Sequence, residues 1–329
     1  MWIITKLSSY KSKKKKPLVL TLGTFDGLHL GHQHLLSYVK KRAKKVNGEA
    51  VVLTFTQHPL HVLKHKIPPA LISSSQHRLL LLKQFGIDGC FLIRFTSMFS
   101  KQTPEDFVKK ILVKQLNVSE VVLGYDSRFG KDRAGTADKM LELSKVYGFK
   151  FTQLGPKYFK KDASMSSTII RKLILQGYLK KASKYLGRDY SILGNVVHGS
   201  GMGKKLGFPT ANLNPHSEAL PPRGVYLVQL DILNLGLKET KIKGQHLLKD
   251  KKVKAGLWGL LNIGYRPTIH KKKHLIPELH ILNFKGNLYG KTIEVTFKKK
   301  IRDEKKFSSV DKLKIQIKKD VKYADKHII

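Results

Sequence analysis

The sequence holds one cysteine, Cys90, among 329 residues. A single thiol excludes an intramolecular disulfide framework. Its place in the apolar run Cys90-Phe91-Leu92-Ile93 reads as a buried structural thiol. Acidic residues are scarce: 23 Asp+Glu stand against 63 Lys+Arg, a formal net charge of +40. No apolar run approaches the roughly 18–20 residues of a membrane span, and the start, Met1 to Lys16, lacks the apolar core of a secretory signal. The expectation is a cytoplasmic protein with no membrane partner. There is no internal repeat, and no G-x-x-x-x-G-K-[ST] phosphate loop.

What is present suffices for a folded protein. Hydrophobic residues make up 41%, with 15 Phe and 12 Tyr, which excludes wholesale disorder. The length suggests about two domains. Residues 1–190 carry 35 Lys+Arg against 12 Asp+Glu, and residues 191–329 carry 28 against 11, so both halves are basic. Such a surplus raises nucleic acid, acidic membranes and polyphosphates as partners. The lysine runs lack the interleaved aromatics of a nucleic-acid groove. They read as a solvated surface, with nonspecific attraction to polyanions and no specific nucleic-acid partner.

Leu18 to Leu22 is an apolar run that predicts a buried strand. Residues 23–31 form a loop with three glycines, after which Leu35, Leu36, Val39, Ala43 and Val46 recur at helical spacing. Residues 50–55 predict a second strand, completing a βαβ order. Short strands at 90–95, 121–124 and 149–154, with helical patterns between them as at 107–116, predict an α/β domain on a parallel sheet. Residues 166–175 and 178–186 read as two short helices broken at Gly177. From Tyr190 the texture changes to strand-like runs at 191–197, 225–230, 254–261, 278–282 and 292–297, separated by Gly, Pro and Asn. That pattern predicts an antiparallel barrel or sandwich. A last helix shows Val310, Leu313, Ile317, Val321 and Ala324 on one face, with Ser308 and Asp311 as its cap. The expected domains are 1–186 and 187–329. The long connection at 234–253 reads as an extended hairpin or a surface loop.

Three stretches carry chemistry. Gly23-Thr24-Phe25-Asp26-Gly27-Leu28-His29-Leu30-Gly31-His32 joins a strand to a helix. Helix-start N–H groups and two imidazoles there suit a triphosphate and the charge of departing pyrophosphate. A histidine metal pair is the rival reading, without a clear third ligand. Ser166-Ser167-Thr168-Ile169-Ile170-Arg171 is a helix cap, or with Arg171 a phosphate clamp. In the stretch from His198-Gly199-Ser200 to Phe208-Pro209-Thr210-Ala211-Asn212 a Gly-rich turn precedes two neutral oxygen ligands, Thr210 and Asn212, of a kind Mg²⁺ accepts beside phosphates.

The first stretch resembles the HxGH loop of the nucleotidylyltransferase superfamily, and the Ser-Ser-Thr-x-x-Arg turn resembles its second hallmark. Gly124-Tyr125-Asp126-Ser127-Arg128-Phe129-Gly130-Lys131-Asp132-Arg133-Ala134-Gly135 is similar to the G-x-D-F-x-F-G-x-x-R-x-G segment of bacterial FAD synthetase modules, with Ser127 where they carry Phe. Thr54-Phe55-Thr56-Gln57-His58-Pro59 is similar to T-F-x-P-H-P, with Gln57 for Pro. The third stretch resembles the riboflavin kinase signature H-G-x-x-x-G-x-x-L-G-F-P-T-A-N. Downstream, Pro222-Arg223-Gly224-Val225-Tyr226, Asn262-Ile263-Gly264-Tyr265-Arg266-Pro267-Thr268 and Glu278-Leu279-His280-Ile281-Leu282-Asn283-Phe284 continue that likeness, the last with Asn283 for the usual Asp.

The sequence thus resembles the bacterial bifunctional riboflavin kinase/FAD synthetase family. The resemblance implies a Rossmann-like α/β nucleotidylyltransferase domain followed by an antiparallel β-barrel, riboflavin kinase-like, with a C-terminal helix. It implies phosphorylation of riboflavin to FMN and adenylylation of FMN to FAD, with ATP as co-substrate and Mg²⁺ alongside it. His29, His32 and Arg171 are the expected catalytic residues of adenylyl transfer, and Glu278 the general base of the kinase. Binding contacts are expected at Gly23, Phe25, Asp26, Gly31, Asp126, Ser167 and Thr168, and at Gly203, Lys205, Gly207, Thr210, Asn212 and Arg302. Thr210 and Asn212 would hold the metal-bound ATP. Two competing readings keep one activity only, or make the protein a basic nucleic-acid binder.

Overall fold

Strands covered on both faces must be apolar throughout. Leu18–Leu22 and Gly89–Ile93 are buried along their whole length. The computed structural model describes residues 1–10, 16–62, 68–155, 166–199, 203, 206–240, 244–266 and 274–328. They form two compact units. The first is Met1–Leu71, Ser75–Ser167 and Gly236–Lys249; the second is Ile72–Ser74, Thr168–Leu235 and Asp250–Ile329.

The first unit holds strands β1 (Trp2–Ile4), β2 (Leu18–Leu22), β3 (Glu49–Phe55), β4 (Gly89–Ile93), β5 (Glu120–Gly124) and β6 (Lys150–Leu154). They pair in parallel in the order β1-β4-β3-β2-β5-β6. Helix α1 (Leu30–Lys45) buries Leu35, Leu36, Val39 and Ala43, the periodic residues of the sequence. Helix α2 (Ser75–Gln84) leads into β4. The strand order reverses at β2: β3 lies on one side and β5 on the other. Sheets of this kind hold ligands outside the carboxyl ends of the strands at such a reversal. Strand β1 was not expected from its three residues. Its Trp2 indole occupies the space above Gly89, where a Cβ would lie 2.1 Å from the ring. The connection at 234–253 carries the end of β9 (Gly224–Glu239) and the start of β10 (Gln245–Arg266), and the start of β10 pairs antiparallel with β1, Trp2 opposite Leu247 and Ile4 opposite Gln245.

The second unit holds β7 (Ser191–Val197), β8 (Ala211–Asn214), β11 (His274–Ile281), β12 (Thr292–Arg302) and most of β9 (Gly224–Glu239) and β10 (Gln245–Arg266), whose adjoining ends at Gly236–Lys249 belong to the first. Following the pairings from β7 through β8, β11, β10, β9 and β12 returns to β7. The antiparallel sheet is therefore closed as a barrel, which leaves no open edge. Tyr190 is buried, stacked on Phe297 at 5.7 Å, with its hydroxyl donating to the Ala219 carbonyl at 2.6 Å. The C-terminal helix Val310–Asp325 sets Val321 and Ala324 against Val225, Leu227, Leu260 and Leu282. Val310 is 63% exposed, outside that face. The helix cap is Ser309, whose hydroxyl accepts from the Lys312 N–H at 3.2 Å, one residue after the expected Ser308.

Candidate active sites

The loop after β2 lies at the reversal of strand order. The Gly23 N–H donates to the Leu53 carbonyl at 3.1 Å, which keeps the chain against β3. The backbone then turns through positive φ at Phe25 (49°), Gly27 (78°) and Leu28 (41°). Phe and Leu rarely adopt this conformation, so the surroundings must hold it. Phe25, Asp26 and Leu28 are buried. The Leu28 carbonyl accepts from Gln33 Nε2 at 2.9 Å. The Thr24 carbonyl accepts from Thr54 Oγ1 at 3.2 Å and from Arg78 Nη1 at 2.6 Å.

His29 caps α1, its Nδ1 accepting from the His32 N–H at 3.4 Å. The two imidazoles stack with centroids 3.7 Å apart and 20° between planes, and Phe25 meets the His32 ring edge-on at 5.2 Å. Burial holds His32 well below its ordinary pKa, and the nearby His29 and Arg78 push it the same way. His32 is therefore a neutral imidazole near pH 7. Gly31 is in the first turn of α1, whose leading N–H groups complete a donor surface for an anion. The rival metal reading gains no third ligand: among the described residues no group of three or more His, Cys, Asp or Glu is placed to hold an ion.

Ser167, first residue of the helix Ser167–Leu175, donates its hydroxyl to the Asp26 carbonyl at 3.0 Å. Thr168 follows exposed, and Arg171 lies about one turn further along the helix, half-buried. Asp126 is exposed in the turn after β5, which the Ser127 N–H closes on the Gly124 carbonyl at 3.2 Å. Gln57, where the family pattern has proline, donates Nε2 to the Phe95 carbonyl at 3.2 Å.

In the second unit Glu278 on β11 stands opposite Asn212 of β8 and opposite Asn262 of β10. Directly opposed residues share a face with Cβ atoms about 4.5–5.5 Å apart, so three polar side chains form a row across three strands. Leu279, Leu261 and Leu213, one step along each strand, are buried. Asn212 is 6% exposed, and its Oδ1 has no hydrogen-bond partner among the described residues. Two signature glycines are there for close approach. A Cβ on Gly199 would lie 1.8 Å from Asn212 Nδ2, and one on Gly203 would lie 2.5 Å from the Phe208 carbonyl and 2.7 Å from Thr210 Oγ1. Thr210 is exposed, as is Gly207 at φ 86°. Lys205 lies outside the described residues. In the sequence Asn262 belongs to the Asn-Ile-Gly-Tyr-Arg-Pro-Thr motif; its place beside Glu278 depends on register, which the sequence does not display. Arg302, expected to bind cofactor, is otherwise engaged: Nε and Nη2 donate to Asp320 at 2.8–3.1 Å and Nη1 to the Asp303 carbonyl at 3.1 Å. Asn283, in place of the usual Asp, sits at φ 52°, a conformation both residues adopt more readily than most.

A sequence model of the FAD synthetase family matches residues 11–169, and one of the riboflavin kinase family matches residues 186–328. The chain is 37% identical over 309 residues to a bifunctional riboflavin kinase/FMN adenylyltransferase of Buchnera aphidicola, covering 94% of this chain and 93% of the relative. It is 33% identical over 320 residues to that of Escherichia coli K12, covering 97% and 96%. The chain belongs to the bifunctional riboflavin kinase/FMN adenylyltransferase family. Its two activities are those of the family, phosphorylation of riboflavin and adenylylation of FMN. A crystal structure described as a macrolide-efflux protein from Streptococcus pneumoniae shares the fold across 98% of both chains, at 30% identity and a TM-score of 0.76. Among the described residues, no helix here is long and apolar enough to cross a membrane.

Proposed function

We propose that residues 1–186 carry the adenylyl transfer and residues 187–329 the kinase, both using ATP in the cytoplasm. In the kinase the 5′-hydroxyl oxygen of riboflavin attacks the γ-phosphorus of ATP, ADP leaves, and Glu278 takes the hydroxyl proton. Thr210 and Asn212 would hold Mg²⁺, which supplies positive charge between the phosphates. The observation that carries this reading is the buried Asn212 Oδ1, with no hydrogen-bond partner among the described residues, directly across from Glu278. A hydroxyl and an amide oxygen suit this hard cation beside phosphate.

In the adenylyl transfer a phosphate oxygen of FMN attacks the α-phosphorus of a second ATP and pyrophosphate leaves. That phosphate is already anionic, so no general base is required. The work is alignment and charge compensation, assigned to His29, His32, Ser167 and Arg171.

The test mixes the purified chain with riboflavin, ATP and Mg²⁺ and separates the flavins by chromatography. The unmodified chain is expected to give FMN and then FAD. Glu278→Gln is expected to lose about 10²–10⁴-fold in FMN formation while still converting supplied FMN to FAD. His29→Ala is expected to do the reverse. Undiminished riboflavin phosphorylation by Glu278→Gln would sink the assignment, as would both variants failing at the same step.

A further inference from the structure

Arg78 is a cation in a position built for an apolar side chain. It precedes Leu79, Leu80, Leu81 and Leu82 on α2, all buried, and is itself 4% exposed. Its Nη1 donates to the Thr24 carbonyl at 2.6 Å and its Nη2 to the Phe55 carbonyl at 2.5 Å. Nε is buried and has no hydrogen-bond partner among the described residues. Both acceptors are neutral, so the guanidinium is not compensated through these bonds. Asp26 favours the charge through space, but burial outweighs it and lowers the Arg78 pKa. Burying a cation in this way is unfavourable, and packing α2 does not call for one.

The charge is accounted for by what it holds. Thr24 begins the turn that runs through positive φ at Phe25, and Phe55 ends β3. A planar fork joining these two carbonyls fixes the phosphate loop against the neighbouring strand. The Thr24 oxygen, taken up by Arg78 and Thr54, is turned to protein donors. A carbonyl oxygen facing the phosphates would repel them.

We propose that Arg78 is a positioning residue for adenylyl transfer: it locks the Thr24 turn of the loop and sets a fixed positive charge beside the His29–His32 pair. The proposal rests on the reading of that loop as the ATP site for FMN adenylylation.

The test uses the full chain with Arg78→Met, which keeps bulk without charge, and Arg78→Lys, which keeps charge without the fork. Three quantities are read: FAD formation from FMN and ATP, FMN formation from riboflavin and ATP in the same preparations, and the titration of His32 by NMR. Arg78→Met is expected to raise KM for ATP and lower kcat for FAD formation, together up to about 100-fold. Its riboflavin phosphorylation should be unchanged, and its His32 pKa should rise as a nearby cation is lost. Arg78→Lys is expected to leave His32 low and to recover only part of the rate. Undiminished FAD formation by Arg78→Met would overturn the proposal; so would an unmoved His32, or equal losses in both half-reactions. An unmodified chain that made FMN but no FAD would count against the reading of the loop instead. In that case ATP binding at the loop, followed through the His32 NMR signal, decides: weaker binding in Arg78→Met supports the proposal and equal binding overturns it.

Discussion

His32 is neutral because the fold buries it beside His29 and Arg78. In the unfolded chain the same imidazole returns to a pKa of about 6.5. Below that pH the unfolded chain binds a proton that the folded chain resists, so stability rises with pH in this window. The contribution is complete above about pH 6.5 and is lost as the pH falls below it toward the depressed native value. The urea midpoint of the first unit is therefore expected to drop between pH 7 and pH 5 more steeply in the unmodified chain than in His32→Asn. In unfolding free energy, the difference in slope is at most about 1.4 kcal/mol per pH unit for one proton. Parallel declines in the two proteins would show that His32 is not buried neutral. The departures from the family pattern also act residue by residue. Gln57 replaces a ring by a hydrogen bond to the Phe95 carbonyl, and Asn283 keeps the left-handed turn that Asp would adopt. Nothing in the structure explains Ser127.

At the scale of elements, the Arg302–Asp320 pair fastens the end of β12 to the C-terminal helix. Its side chains are 15% and 5% exposed, and Gln316 adds a donor to Asp320 at 2.8 Å. Removing the carboxylate leaves a largely buried guanidinium without its partner, which costs about 3 kcal/mol. Asp320→Ala is expected to lower the unfolding free energy of the second unit by that amount, read as a lower denaturant midpoint at unchanged m, and Asp320→Asn by less. A midpoint unchanged in Asp320→Ala would mean that the pair carries no stability. The same pair shows what a motif leaves out. The resemblance implied a binding contact at Arg302, but a residue type does not say where its guanidinium goes. The central strands were legible because a strand buried on both faces must be apolar. Strand β1 is too short to make such a pattern and takes its place from Trp2 packing over Gly89 and from pairing with β10. Strand β8 was hidden inside the Pro-Thr-Ala-Asn signature. The Glu278–Asn212–Asn262 row depends on register, and the cap falls on Ser309 rather than the expected Ser308, a one-residue difference that only the backbone sets. Arg78 did leave a signal, a lone cation heading a run of four leucines, but its partners are carbonyls that no side-chain pattern reveals.

At the scale of the whole molecule the net charge of +40 needs its own account. The residues assigned to phosphate are few, and the surplus is spread over both halves of the chain. A built nucleic-acid interface would add stacked aromatic contacts or base readout to the charge. A merely basic surface would attract any polyanion through counterion release alone. These alternatives differ in salt dependence. Binding of unrelated RNA to the purified chain is expected to show no sequence preference and to weaken about 10³–10⁵-fold between 50 and 200 mM salt, as for several simultaneous phosphate contacts. The kcat/KM for ATP in riboflavin phosphorylation should fall far less, because the substrate meets a few fixed groups in a formed site rather than a field of lysines. RNA binding that persisted at 200 mM salt, or that distinguished one sequence from another, would assign the lysines a second partner. If both quantities fell with the same steep slope, the surface charge would belong to ATP capture, and the few named residues would be too small an account of the site.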